Sequence, residues 1–329
     1  MSAQQQNIKN SNEIYKKISK FIPHVEWKIH QPLIEKINKL KKEKNAIILA
    51  HNYQTPEIYH GVADIAADSL ALAVEASKTT ADKIIMCGVH FMAETAKLMS
   101  PNKKVFLPDM TAGCSLSASI TGADVRILKE KYPGVPVVSY VNTSADVKAE
   151  TDVCCTSANA VKVVESLNVD RVIFLPDQYL ADYVSKNTKV KIISWKGTCI
   201  VHEQFSAKEI EDIKIQNPGI KVIAHPECPP DVIKASDFTG STSGMINYVK
   251  NEQPKKVMLV TECSMSDNVE ADNPNVSFIK PCNLCPYMKK IDLKKIVDCL
   301  ENETNEIILD KRTIEAARKS VIRMTEIGR

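Results

Sequence analysis

Three similar α/β units, each a parallel sheet covered by helices and all facing one central cavity in a pseudo-threefold arrangement, are the fold this sequence predicts. Two observations carry that expectation. Short β-branched apolar runs alternate with helix-length amphipathic segments, and the whole alternation recurs three times at a period of about 85 residues. Near-continuous apolar strands of this kind belong to sheets buried on both faces.

The first run of each copy is AIILAHNYQTPE (46–57), VPVVSYVNTSAD (135–146) and IKVIAHPECPPD (220–231), which align on His51, Tyr140 and His225. Small polar residues then open a helical pattern in DSLALA (68–73), TSANAV (156–161) and STSGMI (241–246). A second run follows in IIMCGVHFMAE (84–94), VIFLPDQYLAD (172–182) and VMLVTECSMSD (257–267), and a third in VFLPDMTAGC (105–114), IISWKGTC (192–199) and SFIKPCNLC (277–285). The expected divisions are 1–119 with N-terminal helices, 120–204, and 205–329 with a C-terminal helix returning toward the first unit. Leu33, Ile34, Ile37 and Leu40 mark an N-terminal amphipathic helix, and Ile314, Ala317, Val321 and Met324 a terminal one. Both are expected to brace the first unit. The opening MSAQQQNIKNSNEIYKK reads as a polar tail without an export signal.

Composition narrows the function. Against 43 Lys and Arg stand 40 Asp and Glu, so the net charge of +3 offers no strongly basic face for nucleic acid or anionic membrane. No apolar stretch approaches the roughly 18 residues of a membrane span. A cytoplasmic enzyme of small molecules is expected, its ten cysteines reduced and free for packing, metal binding or catalysis.

Each copy ends at a cysteine in the same place: Cys114, Cys199, and Cys285 or its neighbour Cys282. Ligands gather beyond the carboxyl ends of parallel strands, so three units facing one axis would bring these sulfurs together. Converging thiolates suit iron–sulfur or zinc chemistry, and three protein ligands leave one position open for a Lewis acid. Cys282 and Cys285 also form a CxxC pair that could act as a redox couple instead. Cys87 and Cys299 read as packing residues.

Polar groups aim at the same centre. The strand ends carry His51, Asn52 and Tyr53, then Tyr140 and Asn142, then His225 and Glu227, with imidazole or phenol at the aligned position in every copy. These are proton-transfer side chains. Ser69, Ser157, and Ser241 with Thr242 fall at expected helix N-termini, where free N–H groups favour anions or where serine simply caps. Neither a GxGxxG nor a GxxxxGK[ST] loop is present, which counts against nicotinamide and nucleoside-triphosphate enzymes. One rival pattern remains: His225-Pro-Glu227 with Pro281-Cys282-Asn-Leu-Cys285 matches the HxE…PCxxC of zinc deaminases, against which the long insertion and the idle Cys114 and Cys199 count.

Several long motifs, in order over about residues 35–325, give the chain a close resemblance to the quinolinate synthase family of NAD biosynthesis. They include ILAHNYQTPE (48–57), CGVHFMAETAK (87–97), YVNTSADVKAETDVCCTSANAV (140–161), KGTCIVHEQF (196–205), AHPEC (224–228), GSTSGM (240–245) and CPYMKKIDL (285–293). The resemblance implies three similar domains and a [4Fe–4S] cluster on Cys114, Cys199 and Cys285, one iron remaining open as a Lewis acid for dehydration. It implies iminoaspartate, supplied by an aspartate-oxidising enzyme, and dihydroxyacetone phosphate as substrates. Phosphate and water would be lost on the way to quinolinate. Carried over by motif, the catalytic set would be His51, Tyr53, Glu227 and His225, and the substrate-binding set Ser69, Tyr140, Asn142, Ser157, His202, Ser241 and Thr242.

Overall fold

The threefold repeat in the sequence becomes three parallel four-stranded sheets with one strand order. The computed structural model describes residues 11–328. Helices α1 (Ser11–Ile18) and α2 (His24–Glu43) precede the first sheet. The first unit then runs β1 (Ala46–His51), α3 (Pro56–Tyr59), β2 (Ile65–Ala67), α4 (Ser69–Lys78), β3 (Lys83–Cys87), α5 (His90–Met99) and β4 (Lys104–Phe106), closing on the one-turn α6 (Ser115–Ala118). After α7 (Gly122–Lys131) the second repeats it with β5 (Val137–Tyr140), α8 (Ala145–Ala149), β6 (Val153–Cys155), α9 (Ala160–Ser166), β7 (Arg171–Leu175), α10 (Gln178–Lys186) and β8 (Lys191–Ser194). After α11 (Ala207–Gln216) come β9 (Lys221–Ala224), α12 (Pro230–Ala235), β10 (Phe238–Thr239), α13 (Thr242–Glu252), β11 (Lys256–Val260), α14 (Cys263–Asp272) and β12 (Ser277–Phe278). Helices α15 (Leu293–Asn302) and α16 (Lys311–Ile327) end the chain.

The sheet orders are β2-β1-β3-β4, β6-β5-β7-β8 and β10-β9-β11-β12. Every residue of β1 and β5 is buried, as strands covered on both faces require. The sequence pattern revealed only three strands per unit. The fourth, β2, β6 or β10, has three, three and two residues, too few to show a period. An aspartate holds each in place: Asp64, Asp152 and Asp237 stand just ahead of these edge strands. Their Oδ2 atoms accept from the N–H groups of Ile48, Val137 and Val222 at 2.8, 2.7 and 2.8 Å. A carboxylate on the neighbouring strand thus supplies a bond that two or three ladder residues could not.

The opening is less of a tail than its polarity suggests. Residues 11–18 form α1, with Ile14 and Ile18 buried and Tyr15 stacked on Trp27 at 5.1 Å; the rest of the expected tail lies outside the described residues. Lys17 and Lys20 pair with Asp272 and Glu270 on α14, so α1 ties α2 to the third unit. Helix α2 packs on β1 and α15. Helix α16 reaches α5 of the first unit, and its main seat is α8 and β6 of the second, where Ser320 Oγ donates to the carbonyl of Lys148 at 3.0 Å. One continuous apolar core joins the first unit to one face of the second sheet, whose other face carries a smaller core, and the two faces of the third sheet carry cores of their own.

The expectation that all ten cysteines are reduced is corrected: Cys263 and Cys282 form a disulfide, Cα to Cα 4.8 Å. Both flank the parallel bridge between Glu262 and Asn283, which sets their side chains next to each other. Cys282 is therefore paired away from Cys285, and the CxxC couple does not form.

Candidate active site

One cavity opens where the three units meet. Its wall includes Cys114, Cys199 and Cys285, with His51, Tyr53, Ser69, Tyr140, Asn142, Ser157, His225, Glu227 and Thr242. Two expected residues stand behind this wall. His202 is buried against Glu227, and Ser241 is the N-cap of α13, accepting from Gly244 N–H at 3.3 Å.

The three cysteines are presented by one repeated device. The N–H of the first residue of α5, α10 and α14 (His90, Gln178, Cys263) donates to a carbonyl two residues before each cysteine (Ala112, Gly197, Asn283), at 2.7, 2.9 and 3.2 Å. Each cysteine is followed by a single helical turn, α6, His202–Gln204 or Met288–Lys290. The backbone N–H groups two and three residues on, at Leu116 and Ser117, Val201 and His202, Tyr287 and Met288, face the sulfur and favour its thiolate. Burial outweighs them and raises all three thiols, Cys114 to about 12, so a bound metal would have to displace their protons. Three soft donors with aligned N–H groups on one wall fit an iron–sulfur cluster.

A second donor group overlaps it: ligand atoms of Cys199, His202 and Glu227 lie within 4.8 Å of one another. A divalent ion there would leave Cys114 and Cys285 idle, and it would compete with the hydrogen bonds that already occupy Glu227. The zinc-deaminase pattern fails on chemistry, because Cys282 spends its sulfur in the disulfide and cannot be a thiolate ligand.

Glu227 is the electrostatic centre. The phenol of Tyr140 donates to its Oε1, and Nδ1 of His202 lies 2.8 Å from its Oε2 without hydrogen-bond alignment. His225, stacked on His202 with ring centroids 4.7 Å apart, stands 3.8 Å from Oε1. Burial pushes the carboxyl up, but the two histidines and the Tyr140 hydroxyl overcome it and hold Glu227 below the usual carboxylate range. It is ionised at neutral pH. Burial also drives His225 down to about 3 and His51 to about 4, so both imidazoles are neutral.

Their tautomers follow from backbone bonds. Nδ1 of His225 accepts from the N–H of Glu227 at 3.4 Å, and Nδ1 of His51 from that of Tyr53 at 3.3 Å. Each Nε2 therefore carries the proton. His225 gives it to Ser157 Oγ at 3.1 Å, which frees the serine hydroxyl proton for the cavity. Thr242 is wired alike, its Oγ1 accepting from Asn52 Nδ2 at 3.0 Å. Tyr53 Oη lies 2.6 Å from Thr261 Oγ1 and 3.4 Å from His202 Nε2, and burial holds the Tyr53 and Tyr140 phenols well above their ordinary range.

Local structure accounts for the anion-facing groups in part. Ser69 is the first residue of α4, whose cap is Asp68, while Ser157 sits in the turn ahead of α9 instead of at its start. Asn142 is held by Lys148, which is wholly buried and donates to the carbonyls on either side, Val141 at 2.8 Å and Thr143. Sequence reasoning missed Lys148, Thr261 and the aspartate clamps. The Asp repeat was visible in the alignment of copies, but nothing in sequence ties Lys148 to the loop it holds. Among the described residues lining the cavity there is no Lys or Arg, so recognition of anions falls to hydroxyls, amides and helix N-termini.

Residues 35–326 match the family described as Quinolinate synthetase A protein. The chain is 60% identical over 314 residues to the quinolinate synthase of Sinorhizobium fredii (strain NBRC 101917 / NGR234), covering 95% of this chain and 88% of that one. It is 54% identical over 318 residues to that of Caulobacter vibrioides (strain NA1000 / CB15N), with 95% and 87% covered. Against that of Xylella fastidiosa (strain 9a5c) the identity is 58% over 294 residues, with 89% and 87% covered.

Proposed function

The chain belongs to the quinolinate synthetase A family and is an enzyme of NAD biosynthesis that forms quinolinate; from that premise we propose which substrates enter its cavity and which residues act on them. The substrates are iminoaspartate and dihydroxyacetone phosphate, condensed with loss of phosphate and water. Cys114, Cys199 and Cys285 hold a [4Fe–4S] cluster. Their shared presentation, the same amide-to-carbonyl bond behind each sulfur, is the observation that carries the reading. When bound, the cluster would supply an iron with an open position, a Lewis acid suited to the dehydration.

The chain's own residues do the rest. The carboxylates and the phosphate of the two substrates meet donors already committed to give a proton, Ser157 and Thr242, with Ser69 and Asn142 beside them and Ser241 behind, capping the helix that presents Thr242. Glu227, ionised and steadied by Tyr140 and His202, is placed to accept the carbon-bound proton as the ketone enolises. Tyr53, kept protonated by burial, and the Nε2–H of His51 are the donors toward departing or developing oxygen anions, while His225 acts through Ser157.

Division into units 1–119, 120–204 and 205–329, residence in the cytoplasm and supply of the imine by an aspartate-oxidising enzyme belong to the same proposal. An imine hydrolyses in water, which favours a source close to the site and a cavity that excludes solvent. No helix among the described residues is long and apolar enough to cross a membrane.

The experiment is anaerobic purification and reconstitution, followed by iron, sulfide and zinc analysis and a quinolinate assay on the two substrates. The expected result is a brown protein with about four iron and four sulfide per chain that makes quinolinate only when so loaded. A colourless, zinc-loaded protein with full activity would overturn the reading.

A further inference from the structure

Resting on the cluster assignment above, we propose that buried Glu262 and partly exposed Lys289 are a positioning pair that fixes the Cys285 ligand and the catalytic Tyr53 through one shared set of bonds. Glu262 has no exposed surface. Its Oε1 accepts from the backbone N–H of Cys285 at 3.3 Å, and its Oε2 from that of Ser264 at 2.9 Å. The ammonium of Lys289 stands 3.0 Å from Oε1 and donates to Ser264 Oγ at 2.7 Å and to the backbone carbonyl of Tyr53 at 2.8 Å.

Two parts of the site that lie far apart in sequence thus hang on one ion pair. The loop bearing Cys285 is held from the third sheet by Glu262, and the turn bearing Tyr53, in the first unit, is held by Lys289 from the turn that follows Cys285. Next in the chain, Thr261 contacts the Tyr53 phenol itself. Neither Glu262 nor Lys289 lines the cavity, so neither touches substrate. Their contribution is orientation: an off-axis ligand sulfur or a phenol displaced by an ångström loses the geometry on which the chemistry depends. A buried carboxylate deprived of its partner is costly, which gives the pair a reason to act as a unit.

Glu262→Gln, Glu262→Leu and Lys289→Met, each reconstituted anaerobically as full-length protein, test this by iron and sulfide content, the EPR spectrum of the reduced cluster, and kcat and KM. Glu262→Gln still offers an oxygen to the Cys285 N–H and is expected to keep iron at the wild-type level. Glu262→Leu should lose at least half its iron and alter the EPR spectrum of what remains. Lys289→Met should keep iron but lower kcat at least tenfold at unchanged KM, because Tyr53 loses its anchor. Wild-type iron, spectrum and kcat in Glu262→Leu, or equal iron loss in the Gln and Leu variants, would overturn the inference. Should Glu262→Leu not fold, the other two decide: an iron-free Gln variant or an unimpaired Met variant overturns it. A wild-type protein that takes up no iron would instead remove the cluster assignment, and this inference with it.

Discussion

The hydroxyl of Tyr140, at the end of the first strand of the second unit, donates to Oε1 of Glu227, just beyond the first strand of the third. The bond joins equivalent places in two copies of one repeat and stabilises a buried carboxylate at the shared centre. Glu227→Gln should therefore keep the fold and the iron yet lower kcat by about 10²–10⁴. Tyr140→Phe should lower kcat less than Glu227→Gln does, since the carboxylate stays and loses only a donor that favours its charged form. Steady-state rates and iron content check both, and a Glu227→Gln variant at full kcat would argue against Glu227 as the base.

The cysteines separate into three classes. Cys114→Ala, Cys199→Ala and Cys285→Ala should each abolish iron binding, whereas Cys299→Ala should not. Cys282→Ser should keep iron and activity while lowering unfolding free energy by up to about 3 kcal/mol, the chain-entropy value for a loop of this size. Iron analysis and urea titration read the two effects independently, and full iron in any of the first three variants would dismantle the ligand set.

Stability should fall as the medium is acidified below the ordinary histidine range. His51 and His225, depressed to about 4 and about 3, are held neutral in the fold, whereas in the unfolded chain they take up protons below about 6.5. The unfolded state then binds more protons, so stability is fully present above that value and drains away as pH drops through the window. Between pH 7 and 5 the loss is about 2 kcal/mol per histidine. Urea midpoints of the metal-free protein at the two pH values measure it, and His51→Asn should remove one share.

Asp152→Ala should destabilise the second unit by about 1–3 kcal/mol, because the N–H of Val137 loses a charged acceptor inside the sheet. Asp152→Asn, which retains an acceptor oxygen, should cost less. Thermal melts of both variants settle the order, and a neutral Ala variant would mean that β6 holds its place without the clamp.

Much of the site was legible before folding because the units repeat. Aligning His51 with Tyr140 and His225, and Cys114 with Cys199 and Cys285, marks the strand ends that face one centre, and the cavity collects those residues. Residues whose work is to hold others left no such mark. Lys148 reads as a helical lysine, Glu262 as a cap and Lys289 as one of two adjacent cations, until the fold bonds them to the backbone beside Asn142, at Cys285 and at Tyr53. The two- and three-residue edge strands escaped because a period cannot be read from so few residues.

The sequence alone determined the α/β class, the triplication and the identity of the chemistry-bearing side chains, since apolar periodicity and residue type are properties of the chain itself. Tertiary structure decided three further matters: the pairing of Cys263 with Cys282, the withdrawal of His202 behind Glu227, and the protonation of the histidines. Each depends on distance and desolvation, which arise only when segments remote in sequence are packed together and water is excluded between them.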